Sequence, residues 1–260
     1  MRWFEHRQVY HPSRSLNATG RELGRPVEDV WLTAEDGVRL HAWYFPAQES
    51  SPAKQHVWLL LHGNAGNITH RLLHAKLLLE TGCAVFMPDY RGYGQSEGNP
   101  SEPGTYLDAQ AAFDWLVERG FQPASILVIG ESLGGGVASE LAICRPVGGL
   151  VLLSTFTSII DIGSELMPWF PVRRLGSIRY DTLGKLPGVG CPVLILHSRG
   201  DHLIGFHHAE RNFAAAKEPK RLVELRGDHN ELPGSDAASY RRALDEFVAS
   251  NKQSPVRDRA

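Results

Sequence analysis

The stretch Ile126-Leu-Val-Ile-Gly130-Glu-Ser132-Leu-Gly134-Gly-Gly-Val-Ala138 decides how this sequence is interpreted. A short apolar run ends at Gly130, a serine stands between glycines, and a segment of small residues with helical spacing follows. This order predicts a strand, a sharp turn and a helix, with Ser132 held on a strained backbone and its hydroxyl exposed at the end of the strand. Because Gly-x-Ser-x-Gly also arises by chance in a glycine-rich chain, the rest of the sequence must supply what a reactive serine needs.

Short apolar runs alternate with helical segments on both sides of this stretch. Runs this apolar are typical of parallel strands that are covered by helices on both faces. Two earlier β-rich runs, 29–34 and 38–45, predict an antiparallel hairpin at one edge. We therefore predict an α/β fold with a mostly parallel, doubly wound sheet of about eight strands and an N-terminal antiparallel hairpin. The remaining predicted strands are 57–61, 84–87, 126–129, 150–153, 193–196 and 221–225, and the helices are 69–81, 105–119, 133–144 and 236–250.

Length and composition indicate one domain over residues 1–250 and a disordered tail over 251–260. The chain has 260 residues, 42% of them apolar, and a formal charge of −2 without long basic blocks. This charge predicts no binding to nucleic acid or to a strongly anionic membrane, and it favours a small-molecule partner. The first 26 residues lack an apolar segment of signal-peptide length, and no run is long enough to span a membrane, so we expect a cytoplasmic protein. The sequence does not indicate an oligomeric state.

The three cysteines, Cys83, Cys144 and Cys191, are widely spaced and form no Cys-x-x-Cys pair. We expect buried, reduced thiols and a reducing compartment.

Catalytic residue types follow the predicted strands, where ligands bind in sheets of this kind. A serine hydroxyl needs a histidine base, and the histidine needs a carboxylate to fix its tautomer. Asp201 follows the strand 193–196, and His229 follows the last strand in Arg226-Gly-Asp-His-Asn230. The order Ser132, Asp201, His229 is the order in which hydrolases with this kind of serine turn carry their triad.

Two main-chain N–H groups are predicted to stabilise negative charge on a reacting carbonyl oxygen. One belongs to Leu133, directly after the serine, and the other to Asn64 in His62-Gly-Asn-Ala-Gly-Asn67, with Ala65 as the alternative donor. A glycine turn that merely starts a helix is the competing interpretation of the second site.

Other polar residues receive structural interpretations. We expect Asp89 and Arg91 to pair and hold a loop, and His62 and His197 to make hydrogen bonds beneath the site. His202, His207 and His208 lie near Asp201 but do not follow the last strand, as the base of a triad must. His70 and His74 are four residues apart and could bind a metal, but a solvated helix face is the preferred interpretation, so no metal and no cofactor is predicted.

The sequence resembles the α/β-hydrolase superfamily over nearly its whole length. Its motifs are His-Gly-Asn-Ala-Gly-Asn, Asp-Tyr-Arg-Gly-Tyr-Gly, Gly-Glu-Ser-Leu-Gly-Gly and a C-terminal Asp-His-Asn. Together they look like the small-lidded serine hydrolases that include monoacylglycerol-lipase-like esterases and protein depalmitoylases. The resemblance implies the triad Ser132, Asp201, His229 and an oxyanion hole from Asn64 and Leu133. Ser198 and Gly205 depart from the family pattern beside Asp201, which puts the geometry of that loop in question.

Residues 158–188 leave the strand-helix rhythm and predict a short lid over the carboxyl ends of the strands. Met167, Trp169 and Phe170, which stand among prolines, suit an apolar acyl pocket. The alternative is that they only pack the insertion onto the sheet.

These features predict a serine hydrolase that cleaves small carboxylic esters or thioesters through an acyl-enzyme. A peptidase is the alternative, and Glu131 or Asp228 would bind a substrate amino group if either faced the pocket. A non-catalytic binding protein of the same fold is a third hypothesis.

Overall fold

The computed structural model describes residues 2–251, and its centre is an eight-stranded sheet. The strands are β1 (Glu28–Thr33), β2 (Arg39–Phe45), β3 (Val57–Leu61), β4 (Ala84–Pro88), β5 (Ile126–Glu131), β6 (Gly149–Leu153), β7 (Val193–Ser198) and β8 (Lys220–Leu225). The order across the sheet is β8-β7-β6-β5-β3-β4-β2-β1, in which β3 to β8 run parallel and β1 and β2 are antiparallel at one edge. This confirms the predicted fold class, hairpin included.

Helices cover both faces because alternate residues of each central strand enter opposite cores. The helices are α1 (Arg2–Val9), α2 (Leu72–Glu80), α3 (Glu102–Glu118), α4 (Leu133–Cys144), α5 (Ile159–Leu166), α6 (Val172–Leu175), α7 (Thr182–Lys185), α8 (Phe206–Ala215) and α9 (Ala237–Asn251). In β3, Val57, Leu59 and Leu61 pack into one core with α3, α4 and α8, whereas Trp58 and Leu60 pack into the other with α2 and α9.

Helix boundaries differ from the predictions where capping decides them. Helix α3 begins three residues before the predicted start because the Ser101 side chain accepts a hydrogen bond from the Gly104 N–H (3.2 Å), an N-cap that the apolar spacing does not reveal. A short 3₁₀ helix, Ile68–Arg71, precedes α2. Helix α9 includes Asn251, the first residue of the predicted tail and the last residue that the structure describes; the rest of that tail lies outside the described residues.

The N-terminal helix α1 was not predicted, because its sequence is mostly polar and has no clear apolar face. Contacts with distant segments hold it. The Glu5 carboxylate accepts hydrogen bonds from the N–H groups of Ser177 (2.6 Å) and Ile178 (2.8 Å), and the Tyr10 and Tyr180 hydroxyls lie 3.0 Å apart. Just after α1, His11–Pro12 pairs in parallel with Ala65–Gly66. The start of the chain is therefore joined to the loop after β3.

The predicted lid insertion lies between β6 and β7 and contains α5, α6, α7 and the 3₁₀ helix Leu186–Gly188. It begins at Ser158, whose hydroxyl caps α5 by accepting from the Asp161 N–H (3.0 Å).

The cysteines and the helix lengths bear on two further predictions. All three cysteines are free, but only Cys83 is buried, Cys191 is half-buried and Cys144 is exposed, which corrects the expectation for Cys144. Among residues 2–251, no helix is both long and apolar enough to cross a bilayer.

Candidate active site

Ser132 occupies the turn between β5 and α4 with φ 52° and ψ −115°, a conformation that non-glycine residues rarely adopt. Its N–H donates to the Leu153 carbonyl at the end of β6 (2.9 Å). Glycines make the turn possible: a Cβ on Gly130 would lie 2.3 Å from the Gly134 carbonyl oxygen, and a Cβ on Gly134 would lie 2.0 Å from the Leu61 carbonyl oxygen. The flanking glycines are therefore a packing requirement, and they hold Ser132 at the carboxyl end of a central strand.

Asp201 and His229 form a pair at the same edge of the sheet. The Asp201 carboxylate is fully buried, and its Oδ2 lies 2.7 Å from His229 Nδ1. Its Oδ1 accepts hydrogen bonds from the N–H groups of Leu203 (3.0 Å) and Ile204 (2.7 Å), which fix the direction of the carboxylate. In a neutral His229 ring the Nδ1 proton is donated to Asp201, so Nε2 is the nitrogen able to accept a proton.

The three predicted triad residues follow β5, β7 and β8, so their chain segments leave the sheet at one edge. The structure joins Asp201 to His229 by a short hydrogen bond. Within residues 2–251, no hydrogen bond links the Ser132 hydroxyl to His229. Catalytic hydrogen bonds are often long in the absence of substrate and tighten when it binds. A missing hydrogen bond therefore does not argue against a serine–histidine pair.

A capping box shapes the loop that carries His229. Asp228 accepts hydrogen bonds from the N–H groups of His229 (2.7 Å) and His202 (3.0 Å), and its own N–H donates to Glu231 (3.1 Å). These backbone donors lower the pKa of the Asp228 carboxyl. The Gly-Asp-His-Asn sequence thus encodes a turn that starts at Asp228 and presents the histidine.

The two departures from the family pattern leave the Asp201 loop ordered. The Ser198 hydroxyl accepts from the Gly200 N–H (3.0 Å), and Gly205 is the residue before α8. His197, at the end of β7, donates from Nε2 to the Ile204 carbonyl (2.7 Å) and lies 3.5 Å from Asp201 Oδ2. Burial lowers its pKa, so it is a neutral structural histidine beneath the site, as predicted.

The two predicted oxyanion donors are held by backbone structure. Leu133 is the first residue of α4, where N–H groups have no partner within the helix. Asn64 is fixed on three sides: its carbonyl accepts from the His11 N–H (2.9 Å) and the Tyr93 hydroxyl (2.7 Å), and its side-chain amide donates to the Val9 carbonyl (2.9 Å). Both residues line the cavity described next, whereas Ala65, in the described chain, is not part of that lining.

A largely apolar cavity of about 400 Å³ opens above Ser132, and Asn64 and Leu133 share its wall. Met167 and Phe170, two of the three residues predicted to contact an acyl group, line this cavity. Trp169, the third, is not part of the lining, and its side chain is 77% exposed. The remaining lining comes mainly from α1 and the lid insertion, including Phe4, Val9, Phe156, Ile159, Ile162, Leu166, Val172, Leu175, Leu203 and Ile204.

The contribution of α1 to this cavity was not predicted from the sequence. Phe4 and Val9 reach it only because α1 is joined to the lid and to the loop after β3, and no local pattern indicates those contacts. Leu203 and Ile204 could have been found, since they lie two and three residues after Asp201 in a loop already assigned to the site.

Glu131, next to the serine, is engaged by an arginine and does not line the cavity. Its Oε2 lies 2.5 Å from Arg71 Nε. Burial is the largest single effect and would raise the pKa of Glu131, but the charge and hydrogen bond of Arg71 together with His74 and His62 outweigh it and lower the pKa to about 2. Asp228 is likewise absent from the lining and bound to backbone amides. Neither carboxylate therefore presents itself to a substrate amino group, as the peptidase hypothesis requires.

Two further structural predictions need correction. Arg91 does not pair with Asp89; it binds Asp108 (2.8 Å) and Asp36 (2.6 Å), while Asp89 accepts from the Ile68 N–H (2.9 Å).

His70 and His74 do not share a solvated helix face. His70 belongs to the 3₁₀ helix, whereas His74 is buried in α2, 3.3 Å from the Leu232 carbonyl, and its burial lowers its pKa.

A group of three potential metal ligands joins the lid to α8. Glu165 lies 3.0 Å from His207 Nε2 and 3.1 Å from His208 Nε2. The buried His208 Nδ1 accepts from the Thr157 N–H (3.1 Å), and burial lowers its pKa, so the neutral ring carries its proton on Nε2 and donates it to Glu165. A protonated Nε2 has no lone pair for a metal. The three residues therefore fit a hydrogen-bonded link between the lid insertion and α8 better than a metal site.

A serine turn at the central strand of a sheet with this strand order defines the α/β-hydrolase class, and the chain belongs to that family. Residues 57–176 match the family model described as the alpha/beta hydrolase fold.

Individual relatives extend the similarity along the chain. The alpha/beta hydrolase domain-containing protein WAV2 of Arabidopsis thaliana is 36% identical over 244 residues, covering 84% of this chain and 78% of WAV2. The lysophosphatidylserine lipase ABHD12 of Danio rerio is 32% identical over 252 residues, covering 87% of this chain and 64% of ABHD12. The solved esterase Pf2001 of Pyrococcus furiosus has the same fold, with a TM-score of 0.77 and 23% identity, and the match covers 92% of this chain and 98% of Pf2001.

Proposed function

We propose that this protein is a serine hydrolase that cleaves carboxylic esters or thioesters and forms a covalent acyl-enzyme on Ser132. The observation that carries the proposal is the wall shared by Ser132, Asn64 and Leu133 at the base of an apolar cavity. The short bond between Asp201 and His229 supports it. An apolar cavity of about 400 Å³ is within the range that suits a small acyl group or part of a longer one.

In the proposed cycle every proton passes through one histidine. His229 Nε2 takes the proton of the Ser132 hydroxyl as Oγ bonds to the acyl carbon, and the N–H groups of Asn64 and Leu133 stabilise the oxyanion. The C–O or C–S bond then breaks, and the alcohol or thiol leaves with the proton from His229. A water molecule then gives a proton to His229 as its oxygen bonds to the acyl carbon. The bond to Ser132 Oγ breaks, Oγ takes the proton back from His229, and the acid leaves. Asp201 stabilises the charged imidazole in both halves, so the cycle needs no cofactor.

The competing hypotheses have less support. A peptidase of the aminopeptidase type needs a free carboxylate at the cavity, and Glu131 and Asp228 are both engaged elsewhere. A non-catalytic binding protein would not need the Asp201–His229 pair or the strained serine turn.

The test is a rate profile over p-nitrophenyl esters of increasing chain length, an acyl thioester and an amino-acid anilide. We expect ester and thioester cleavage, and Ser132→Ala should lower kcat/KM by at least about 10³-fold. The matched control is Ser139→Ala, because Ser139 is a buried serine of α4 whose hydroxyl donates to the Gly135 carbonyl (2.8 Å) and does not line the cavity. Anilide cleavage faster than ester cleavage, or an active Ser132→Ala variant, would contradict the proposal.

A further inference from the structure

Exposed apolar side chains of this protein are concentrated at the mouth of the cavity. Among residues 4–251, nine large hydrophobic residues are exposed, and four of them lie singly on β1, α2, α3 and α4. Of the other five, four line the cavity and Trp169 lies beside the lining residue Phe170. We call these five the apolar rim: Phe4, Leu166, Trp169, Leu175 and Leu203.

The rim residues come from separate segments that meet only in the folded protein. Phe4 is on α1, Leu166 ends α5, Leu175 ends α6, and Leu203 follows Asp201. All four line the cavity, and Trp169 contacts Phe170 of the lining, with ring centroids 6.0 Å apart. The side chains are 41% to 77% exposed, so this is a contiguous apolar surface that water covers at a cost in free energy.

We propose that the apolar rim docks on a phospholipid surface, so that the cavity receives the acyl chain of a membrane-resident ester directly from the lipid. Trp169 is the most exposed rim residue, and tryptophan favours the interface between water and hydrocarbon. Four rim residues and Ser132 line the same cavity, so the inserted side chains and the entering chain would share one apolar environment. The substrate class rests on the proposed function; the docking surface does not.

The charges near the apolar rim favour a lipid surface over a second copy of the chain as its partner. Arg173, Arg174 and Arg179 follow the exposed tryptophan and are all exposed. Arg173 is paired with Asp161 (2.9 Å), and Glu165 is paired with His207 (3.0 Å), whereas the side chains of Arg174 and Arg179 form no ion pair within the described part of the chain. Arg174 and Arg179 are therefore the rim charges that a lipid phosphate would meet.

A symmetric dimer built on this face would bring the arginines of both copies together, whereas lipid phosphates would complement them. The formal charge of −2 for the whole chain does not reflect the local charge of Arg174 and Arg179, and the sequence therefore predicted no attraction to an anionic membrane.

The test measures vesicle binding in the Ser132→Ala background, where the proposed chemistry cannot consume the lipid. Co-sedimentation with phosphatidylcholine vesicles, with and without phosphatidylglycerol, gives the partition coefficient. We expect binding to both, tighter with phosphatidylglycerol. Trp169→Ala should weaken it at least about tenfold, the change expected from losing one buried large apolar side chain. Trp31→Ala is the matched control, since Trp31 is an exposed tryptophan on β1, distant in the sheet from the cavity, and its loss should leave binding unchanged.

Several outcomes would overturn the proposal. They are absence of vesicle binding, equal binding by Trp169→Ala, binding no tighter with phosphatidylglycerol, and a dimer in solution that Trp169→Ala dissociates while vesicles remain unbound. Unchanged circular dichroism and thermal unfolding of Trp169→Ala would show that the variant is folded, as expected for so exposed a side chain.

The two proposals fail separately. Hydrolysis of a short soluble ester without vesicle binding would leave the catalytic proposal standing and remove the docking surface. Vesicle binding by a wild-type protein that hydrolyses no ester would do the opposite.

Discussion

Gly134→Ala is the substitution whose consequence can be worked out most directly from the structure. The Cβ of the new alanine would lie 2.0 Å from the Leu61 carbonyl oxygen and 2.7 Å from that of His62. A Cβ in a folded protein does not approach another heavy atom within about 3.0 Å, and backbone oxygens cannot rotate away. The start of α4 would therefore have to move about 1 Å from the end of β3.

We expect this movement to cost stability and activity together. Overpacking of a close contact costs about 1–3 kcal/mol, and the upper end applies because both opposing atoms belong to the backbone. For a chain of this size, about 3 kcal/mol corresponds to a fall in Tm of about 6–12 °C. Since α4 begins with Leu133 directly after Ser132, a displacement of about 1 Å should also lower kcat/KM by about 10²-fold.

Thermal unfolding and the hydrolysis of a p-nitrophenyl ester measure the two effects. Gly188→Ala is the control, because its Cβ would meet only Ile143 Cγ2, at 3.3 Å, on an exposed side chain that can move. That variant should remain within about 0.5 kcal/mol of the wild type, as most surface substitutions do. A Gly134→Ala protein with the wild-type Tm and full activity would refute the close contact between helix and strand on which this reasoning depends.

Three further predictions test single contacts. Asp201→Asn should lower kcat by about 10³–10⁴-fold at neutral pH while the protein stays folded, because an amide cannot stabilise a charged His229; ester assays at saturating substrate measure this. Arg71 and the neighbouring histidines together outweigh burial and lower the pKa of Glu131 to about 2. The extra stability of the wild type over Glu131→Gln should therefore be complete above about pH 4.5 and shrink as the pH falls toward about 2, as urea unfolding at several pH values would show. Tyr180→Phe should cost about 1–3 kcal/mol in thermal unfolding, because the buried hydroxyl joins α1 and α3 to the lid. An unchanged rate, a pH-independent difference or an unchanged Tm, respectively, would contradict these predictions.

The sheet and the serine turn could be predicted because their residues are constrained by local chemistry. A fully buried parallel strand must be apolar along its whole length, so the bounds of β3, 57–61, agree with the sequence residue for residue. The same holds for α4, whose start is fixed by the glycine turn. Asp201 and His229 were found because each follows a strand of one parallel sheet, and such strands end at a common edge.

The cavity could not be predicted because distant contacts build it. Helix α1 is too polar and short to be recognised, and hydrogen bonds from Ser177 and Ile178 to Glu5 hold it against the lid. Trp169 and Phe170 are neighbouring aromatic residues, yet only Phe170 lines the cavity, because the direction of a side chain in an irregular turn depends on the fold around it. For the same reason Arg91 binds partners 17 and 55 residues away and not the aspartate two positions before it.

The proposed nucleophile, Ser132, can be tested by chemical labelling. The folded protein is treated with a fluorophosphonate and digested, and the phosphonyl adduct is located by mass spectrometry, with His229→Ala and Ser139→Ala treated in parallel. We expect one adduct, on Ser132, formed at the wild-type rate in Ser139→Ala and far more slowly in His229→Ala. An adduct on another residue, or an unmodified Ser132 in the folded wild-type protein, would contradict it.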